Sequence, residues 1–146
     1  MKCKSVSNNS PRYTRKEKFI TIDGQGRDNG KIFHLTEMSA SQAEWWAMRA
    51  IMAMGRGGVE LPDDVRSMGM AALALEGLKA LSKIPPEEAR PLLDEMMECI
   101  QFVPDPKNRG IRRPLIEDDI EEITTRLNLR AEVFRLHVDF FSPAAS

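Results

Sequence analysis

Ser39-Ala40-Ser41-Gln42-Ala43-Glu44-Trp45-Trp46-Ala47-Met48-Arg49-Ala50-Ile51-Met52-Ala53-Met54 is the stretch on which the reading of this chain turns. Ser39 with Gln42, or Ser41 with Glu44, offers a reciprocal cap for a helix start. Ala43, Trp46, Ala47, Ala50, Ile51 and Met54 recur at helical spacing and define one apolar face. Gly55-Arg56-Gly57-Gly58 follows, and glycine accepts the left-handed conformation that closes a helix. The spacing therefore predicts a first helix from Ser39 to Met54.

Upstream, Phe19, Ile20 and Ile22 form one strand candidate, and Ile32, Phe33 and Leu35 a second. Between them, Asp23-Gly24 and Asn29-Gly30 are strong turn formers, so 19–35 reads as a β-hairpin with a loose tip. Residues 1–18 carry Lys2, Lys4, Arg12, Arg15, Lys16 and Lys18 against Glu17 alone. They read as a disordered basic leader.

Downstream, Pro62-Asp63-Asp64 places proline and acids where a helix N-terminus favours them, predicting a second helix to Lys83. Met68 to Leu75 is apolar nearly all round, as in a helix buried on most sides. Gly69 and Gly77 would each cost roughly 1 kcal/mol against alanine, a cost that fits close approach of another helix. Pro85-Pro86-Glu87-Glu88 opens a third helix with Ala89, Leu92, Leu93, Met96 and Ile100 as its stripe. Pro91 lies past its first turn if it begins at Pro86, and within that turn if it begins near Ala89. Pro104, Pro106 and Pro114, with Lys107, Arg109, Arg112 and Arg113, make 102–115 a basic loop. A last helix runs from Glu117 toward Phe140, with Ile116, Ile120, Ile123, Leu127, Phe134, Val138 and Phe141 on its apolar side. Its early acids and later Arg126, Arg130 and Arg135 complement the helix dipole. The fold expected is mainly α: a small bundle of about four helices with an N-terminal hairpin, one domain over 19–141, and a flexible end at 142–146.

The 146 residues suit one domain, and 42% hydrophobic content supplies a modest core. A net charge of -1 lacks the basic excess of a dedicated nucleic-acid binder. Two cysteines, Cys3 and Cys99, make no disulfide framework, which fits a reducing compartment. No run approaches the roughly 18 apolar residues of a membrane span. The basic start is not followed by the apolar core of a secretory signal.

Catalytic patterns are not found. Gly24-x-Gly26-x-x-x-Gly30 has the wrong spacing for a dinucleotide fingerprint and no helix directly behind it, so it reads as a turn. His34 and His137, the only histidines, lack metal-ligand spacing to other donors. His34 falls in a strand and His137 at a core edge. Cys99, between Glu98 and Ile100, sits where a thiolate is discouraged. The acids Glu117–Glu122 are explained by a helix start without a metal. No enzyme activity and no cofactor are expected.

Two features exceed what a plain bundle needs. The first helix carries a second apolar stripe, Trp45, Met48 and Met52, which must meet another part of the chain or a partner. Of nine methionines, all but Met1 fall between Met38 and Met97. They fill an irregular core, or they supply an adaptable surface for apolar partners.

The run Ile32-Phe33-His34-Leu35-Thr36-Glu37-Met38-Ser39 through Trp45-Trp46-Ala47-Met48-Arg49-Ala50 resembles the tail assembly chaperones of long-tailed bacteriophages and prophages. The likeness continues through Gly58-Val59-Glu60-Leu61-Pro62, the second helix, and Leu92-Leu93-Asp94-Glu95-Met96. It resumes at Asp118-Asp119-Ile120-Glu121-Glu122 and Leu129-Arg130-Ala131-Glu132-Val133, covering most of 19–141. The resemblance implies a protein of the host cytoplasm that coats the tape measure protein, keeps it soluble, helps tail tube protein polymerise around it, and is absent from the mature virion. Some such chaperones exist in two lengths by ribosomal frameshifting, which would make Pro143–Ser146 the point where a longer form diverges. The partner-binding residues expected are Trp45, Met48, Met52, Met96 and Met97, bordered by Arg49 and Arg56, with self-association allowed. The competing readings are a minor structural protein of the tail or head–tail junction, and a regulator using the basic loop and leader on nucleic acid.

Overall fold

The protein is described from a computed structural model covering residues 15–58, 64 and 67–138. The expected helix start at Pro62-Asp63, most of the basic leader, Phe141 and the 142–146 end lie outside these residues. The described residues form a mainly helical fold of four helices joined to an N-terminal hairpin.

The hairpin pairs β1 (Glu17–Thr21) with β2 (Ile32–Thr36), antiparallel, with Ile20 opposite Phe33. Strand β1 therefore takes in Glu17 and Lys18, which the sequence assigns to the leader. Gly30 takes a positive φ of 86° and closes the turn, its amide donating to the Ile22 carbonyl at 2.8 Å. Two more strands extend the sheet in the order β1-β2-β3-β4: β3 (Ile100–Val103) and the short β4 (Arg113–Pro114). The expected loop at 102–115 is thus strand at both ends, and Ile100 belongs to β3 rather than to the third helix. Residues 100–103 find their hydrogen bonds on β2, with Phe33 opposite Phe102 and Leu35 opposite Ile100.

Strand β2 is central, and Ile32, Phe33, His34 and Leu35 are all buried. Phe33 and Leu35 face the helices, in a core with Met38, Met96, Met97, Ile120, Leu129, Val133 and Leu136. On the opposite face, the His34 ring lies 4.7 Å from that of Phe19. Arg109 and Arg112 from the 104–112 segment lie over Phe19, at 5.0 and 5.9 Å, so cationic side chains lid an aromatic surface.

Helix α1 (Ala40–Gly57) begins as the sequence predicts: Ser39 Oγ accepts the Gln42 amide at 3.3 Å. It continues past Met54 to Gly57 before Gly58 takes the left-handed cap. Gly57 is needed for packing, because a Cβ there would overlap the Lys83 carbonyl in the turn before α3. Helix α2 (Met70–Leu81) starts later and ends earlier than expected. Leu75 and Leu78 are 53% and 46% exposed, so the face of α2 that carries them is not buried. A Cβ added at Gly69 or Gly77 would meet nothing within 4 Å, so close helix approach does not explain either glycine. Helix α3 (Pro86–Met97) starts at Pro86 and holds Pro91 inside it, on the exposed side.

The acidic start of the last helix is arranged differently. Glu117–Asp119 is a single 3-10 turn, Ile120 is extended and buried, and α4 runs Ile123–Val138. None of the acids lies in the first turn of α4, and two of them are tied to other elements. Asp119 takes two hydrogen bonds from Arg113, each 2.8 Å, and Glu121 accepts Lys31 at 2.9 Å. Leu129, Val133 and Leu136 are buried, while Ile116 and Ile123, expected on the apolar side, are 61% and 77% exposed.

Candidate functional site

Three side-chain links to α3 decide which face of α1 looks outward. Trp46 packs against the core, and its indole Nε1 donates to the Leu92 carbonyl at 2.9 Å. One turn on, Arg49 grips Glu95 with two hydrogen bonds of 2.6 and 2.7 Å. Two turns further, Arg56 pairs with Glu88. Together with buried Ala50 and Ala53, these links turn Trp46 and Arg49 inward.

The opposite face carries Trp45, Met48, Ile51 and Met52, at 56, 51, 63 and 45% exposure. Successive steps of three and four residues place them side by side along nearly two turns. This is the second stripe expected from the sequence, with Ile51 added to it. Helical spacing alone groups Ile51 with the core face, but the position of α3 leaves it on the solvent side. Its spacing from Met48 is the signal that places it there. Clustered exposed apolar side chains of this kind, unlike scattered ones, mark a surface that meets something.

The remaining predicted partner residues separate. Met96 and Met97 are 6 and 8% exposed and belong to the core. The end of α3 is sandwiched between the sheet and α4, so consecutive residues there are both covered. Both therefore fill the core rather than standing on the exposed stripe, and Met96 also lines the groove between the helices. Arg49 does not stand free beside the stripe: its guanidinium serves Glu95, with its carbon 5.3 Å from the Trp45 ring centre. The hydrogen bond to Glu95 holds the Arg49 pKa up, and the same bond holds the Glu95 carboxyl below its ordinary value. Arg56 likewise serves Glu88, although it remains more exposed.

Two concavities flank the helices. A cleft of about 650 Å³ lies beside β3 and includes Glu37, Glu95, Glu98, Glu117, Arg15 and Arg126 in its lining. An apolar groove of about 190 Å³ runs between the helices, with Trp46, Leu78, Leu92, Met96, Arg130 and Phe134 among its walls.

The groups screened for chemistry are engaged structurally. Cys99 is buried and its thiol is pushed up to about 11, first by burial and then by Glu98 and Glu95. His137 accepts the Met38 amide on Nε2 at 2.9 Å, and its Nδ1 lies 2.8 Å from the Val133 carbonyl. Its two nitrogens therefore tie the β2–α1 junction to α4. His34 Nε2 lies 2.5 Å from Glu17 Oε1. Among the described residues, no group of three His, Cys, Asp or Glu side chains is placed to hold a metal ion, and no helix is long and apolar enough to cross a membrane.

No protein-family model, no curated protein and no solved structure matches this chain.

Proposed function

We propose that this chain is a tail assembly chaperone of a long-tailed bacteriophage, acting in the host cytoplasm. It covers apolar helical surface of the tape measure protein, keeps that client soluble while tail tube protein assembles around it, and then departs from the maturing tail. The reading rests on the sequence likeness across residues 19–141. The observation that supports it physically is the outward stripe Trp45-Met48-Ile51-Met52, held in place by Trp46, Arg49 and Arg56 behind it.

The mechanism follows from what such a stripe does. An amphipathic client helix lays its apolar face along exposed apolar side chains spaced at three and four residues. Trp45 contributes a large flat area, and the flexible thioethers of Met48 and Met52 adapt to clients of differing shape. A small stripe gives modest affinity, which suits a chaperone that must release its client. The stripe is available without unfolding because the core is completed by other residues.

Co-expression with the tape measure protein, followed by affinity capture of this chain, tests the proposal. The wild type is expected to hold the client in the soluble fraction, and the double change Trp45→Ser, Met48→Ser to lose it. Client capture unaffected by the double change sinks the assignment of the stripe. Mass spectrometry of purified particles tests the departure step: a stoichiometric band in the virion identifies a structural tail or head–tail component instead.

A further inference from the structure

Arg130 occupies an unusual place. It projects from α4 into the wall of the apolar groove, whose other lining is aliphatic and aromatic, Trp46, Leu78, Leu92, Met96 and Phe134 among it, apart from Glu76, which pairs with Lys79 at 3.4 Å. Its Nε is buried without a hydrogen-bond partner. No ion pair reaches its guanidinium among the described residues. Asp94 acts on it only from beyond ion-pair distance, and itself faces Arg90 at 3.7 Å. Arg126, one turn earlier on α4, adds repulsion. Burial first, and Arg126 second, lower the Arg130 pKa. Arg135 also has a buried Nε without a partner, but its guanidinium donates to the Met68 carbonyl, and Lys31, Arg49 and Arg113 each have a carboxylate in contact. Holding one nitrogen of a guanidinium away from water with neither a hydrogen-bond partner nor a counter-charge is costly.

The groove's size narrows what would complete it. About 190 Å³ is below the roughly 300–1,000 Å³ of ordinary small-molecule sites. It is close to the roughly 150 Å³ that accepts a single aromatic ring. That suits one or two inserted side chains better than a whole ligand. Leu78, half-exposed at the groove, and Leu75, one turn before it on α2, extend the apolar surface outward, so the body carrying those side chains has further apolar area to cover.

We infer that this groove takes an apolar helical segment of a partner protein, inserting a large aliphatic or aromatic side chain beside Leu78 and placing a carboxylate from a neighbouring turn on Arg130. The charge is the selective element: an acid in the partner relieves the unpaired guanidinium, whereas an amide does so only in part and a lysine opposes it. The inference deepens the proposed chaperone role by adding a second, charge-selective contact, and it rests on that role only for the existence of a helical client.

The test uses the full chain and three fluorescein-labelled alanine-rich helical peptides. Each carries leucine at positions i, i+3 and i+7 and glutamate, glutamine or lysine at i+4; binding is read by anisotropy. The glutamate peptide is expected to bind at least tenfold more tightly than the glutamine peptide, with lysine weakest, in line with a buried charge-assisted hydrogen bond. Arg130→Met should abolish the ranking while Arg130→Lys keeps part of it, and the Trp45→Ser, Met48→Ser variant should preserve it. Equal binding of the three peptides to the wild-type chain, no binding of any, or binding of dodecanoate with none of the glutamate peptide overturns the inference. Loss of tape measure capture in the serine variant with the peptide ranking intact would separate the two proposals, since the comparison of peptides on wild-type protein needs no mutant to fold.

Discussion

The carboxylate of Asp28, in the β1–β2 turn, accepts the backbone amide of Glu121 at 3.0 Å, 93 residues away. It also accepts the Glu122 amide at 3.0 Å and the Lys31 ammonium at 2.9 Å. The hairpin tip therefore caps the approach to α4 from outside that helix, satisfying amides that have no partner of their own. Burial opposes the charged form of Asp28, but Lys31, the Glu121 amide and Thr125 outweigh it and bring the carboxyl from 3.8 down to about 2. A depressed carboxyl stabilises the fold fully above its unfolded pKa and loses that contribution as pH falls through the folded one. Acid unfolding should thus show about 2 kcal/mol lost between roughly pH 4 and pH 2, measured by urea titration. Asp28→Asn should lower stability at pH 7 and flatten this acid limb. An unchanged limb would show that Asp28 does not control it.

Breaking the Arg49–Glu95 link is expected to cost about 1–3 kcal/mol, because a half-buried carboxylate is left without its two donors. Glu95 should then titrate nearer its ordinary value. The change Arg49→Met should be partly repaired by adding Glu95→Gln, and a double-mutant cycle on urea midpoints measures the coupling. Full additivity would mean that the pair does not fix the orientation of α1.

Serine at Trp45, Met48, Ile51 or Met52 should leave the melting temperature nearly unchanged, with stability effects within roughly 0.5 kcal/mol, since each side chain stands well out in solvent. Trp46→Ser should be severe by comparison, losing core packing and the hydrogen bond to Leu92. Thermal unfolding of the five variants checks this contrast between adjacent tryptophans.

Two glycines should respond in opposite directions to alanine. Gly57→Ala drives a methyl into the Lys83 carbonyl and should destabilise by about 1–3 kcal/mol. Gly77→Ala meets open space within α2 and should stabilise by roughly 0.5–1 kcal/mol through helix propensity. Denaturant titration of both separates packing from backbone effects.

Cys99 should resist thiol reagents in the folded protein and react on unfolding, because it is buried with its thiol raised to about 11. Labelling with an aromatic disulfide, followed with and without denaturant, reads this directly. Rapid labelling of the native chain would mean that the end of α3 opens readily.

Local chemistry determines several elements. Paired Asp-Gly and Asn-Gly steps mark the hairpin, Ser39 marks the start of α1, and Pro86 with its following acids marks the start of α3. Each is read over a few neighbouring residues by turn and cap preferences that need no distant partner. The same 3.6-residue spacing puts Trp46 inward and Trp45, Met48 and Met52 outward, so most of the candidate stripe is visible from the residues alone. What distance in the chain has to settle is different in kind. Ile100–Val103 is a strand because β2 supplies its hydrogen bonds, not because of its own pattern. Met96 and Met97 are enclosed by the sheet and α4 meeting over the end of α3, and Ile51 is left outside by where α3 lies against α1. Arg130 draws its character from the groove it enters, whose walls come from all four helices. Asp119 and Glu121 find partners on β4 and the hairpin. Periodicity says which residues share a side of one element; which side is covered, and by what, is a property of elements brought together.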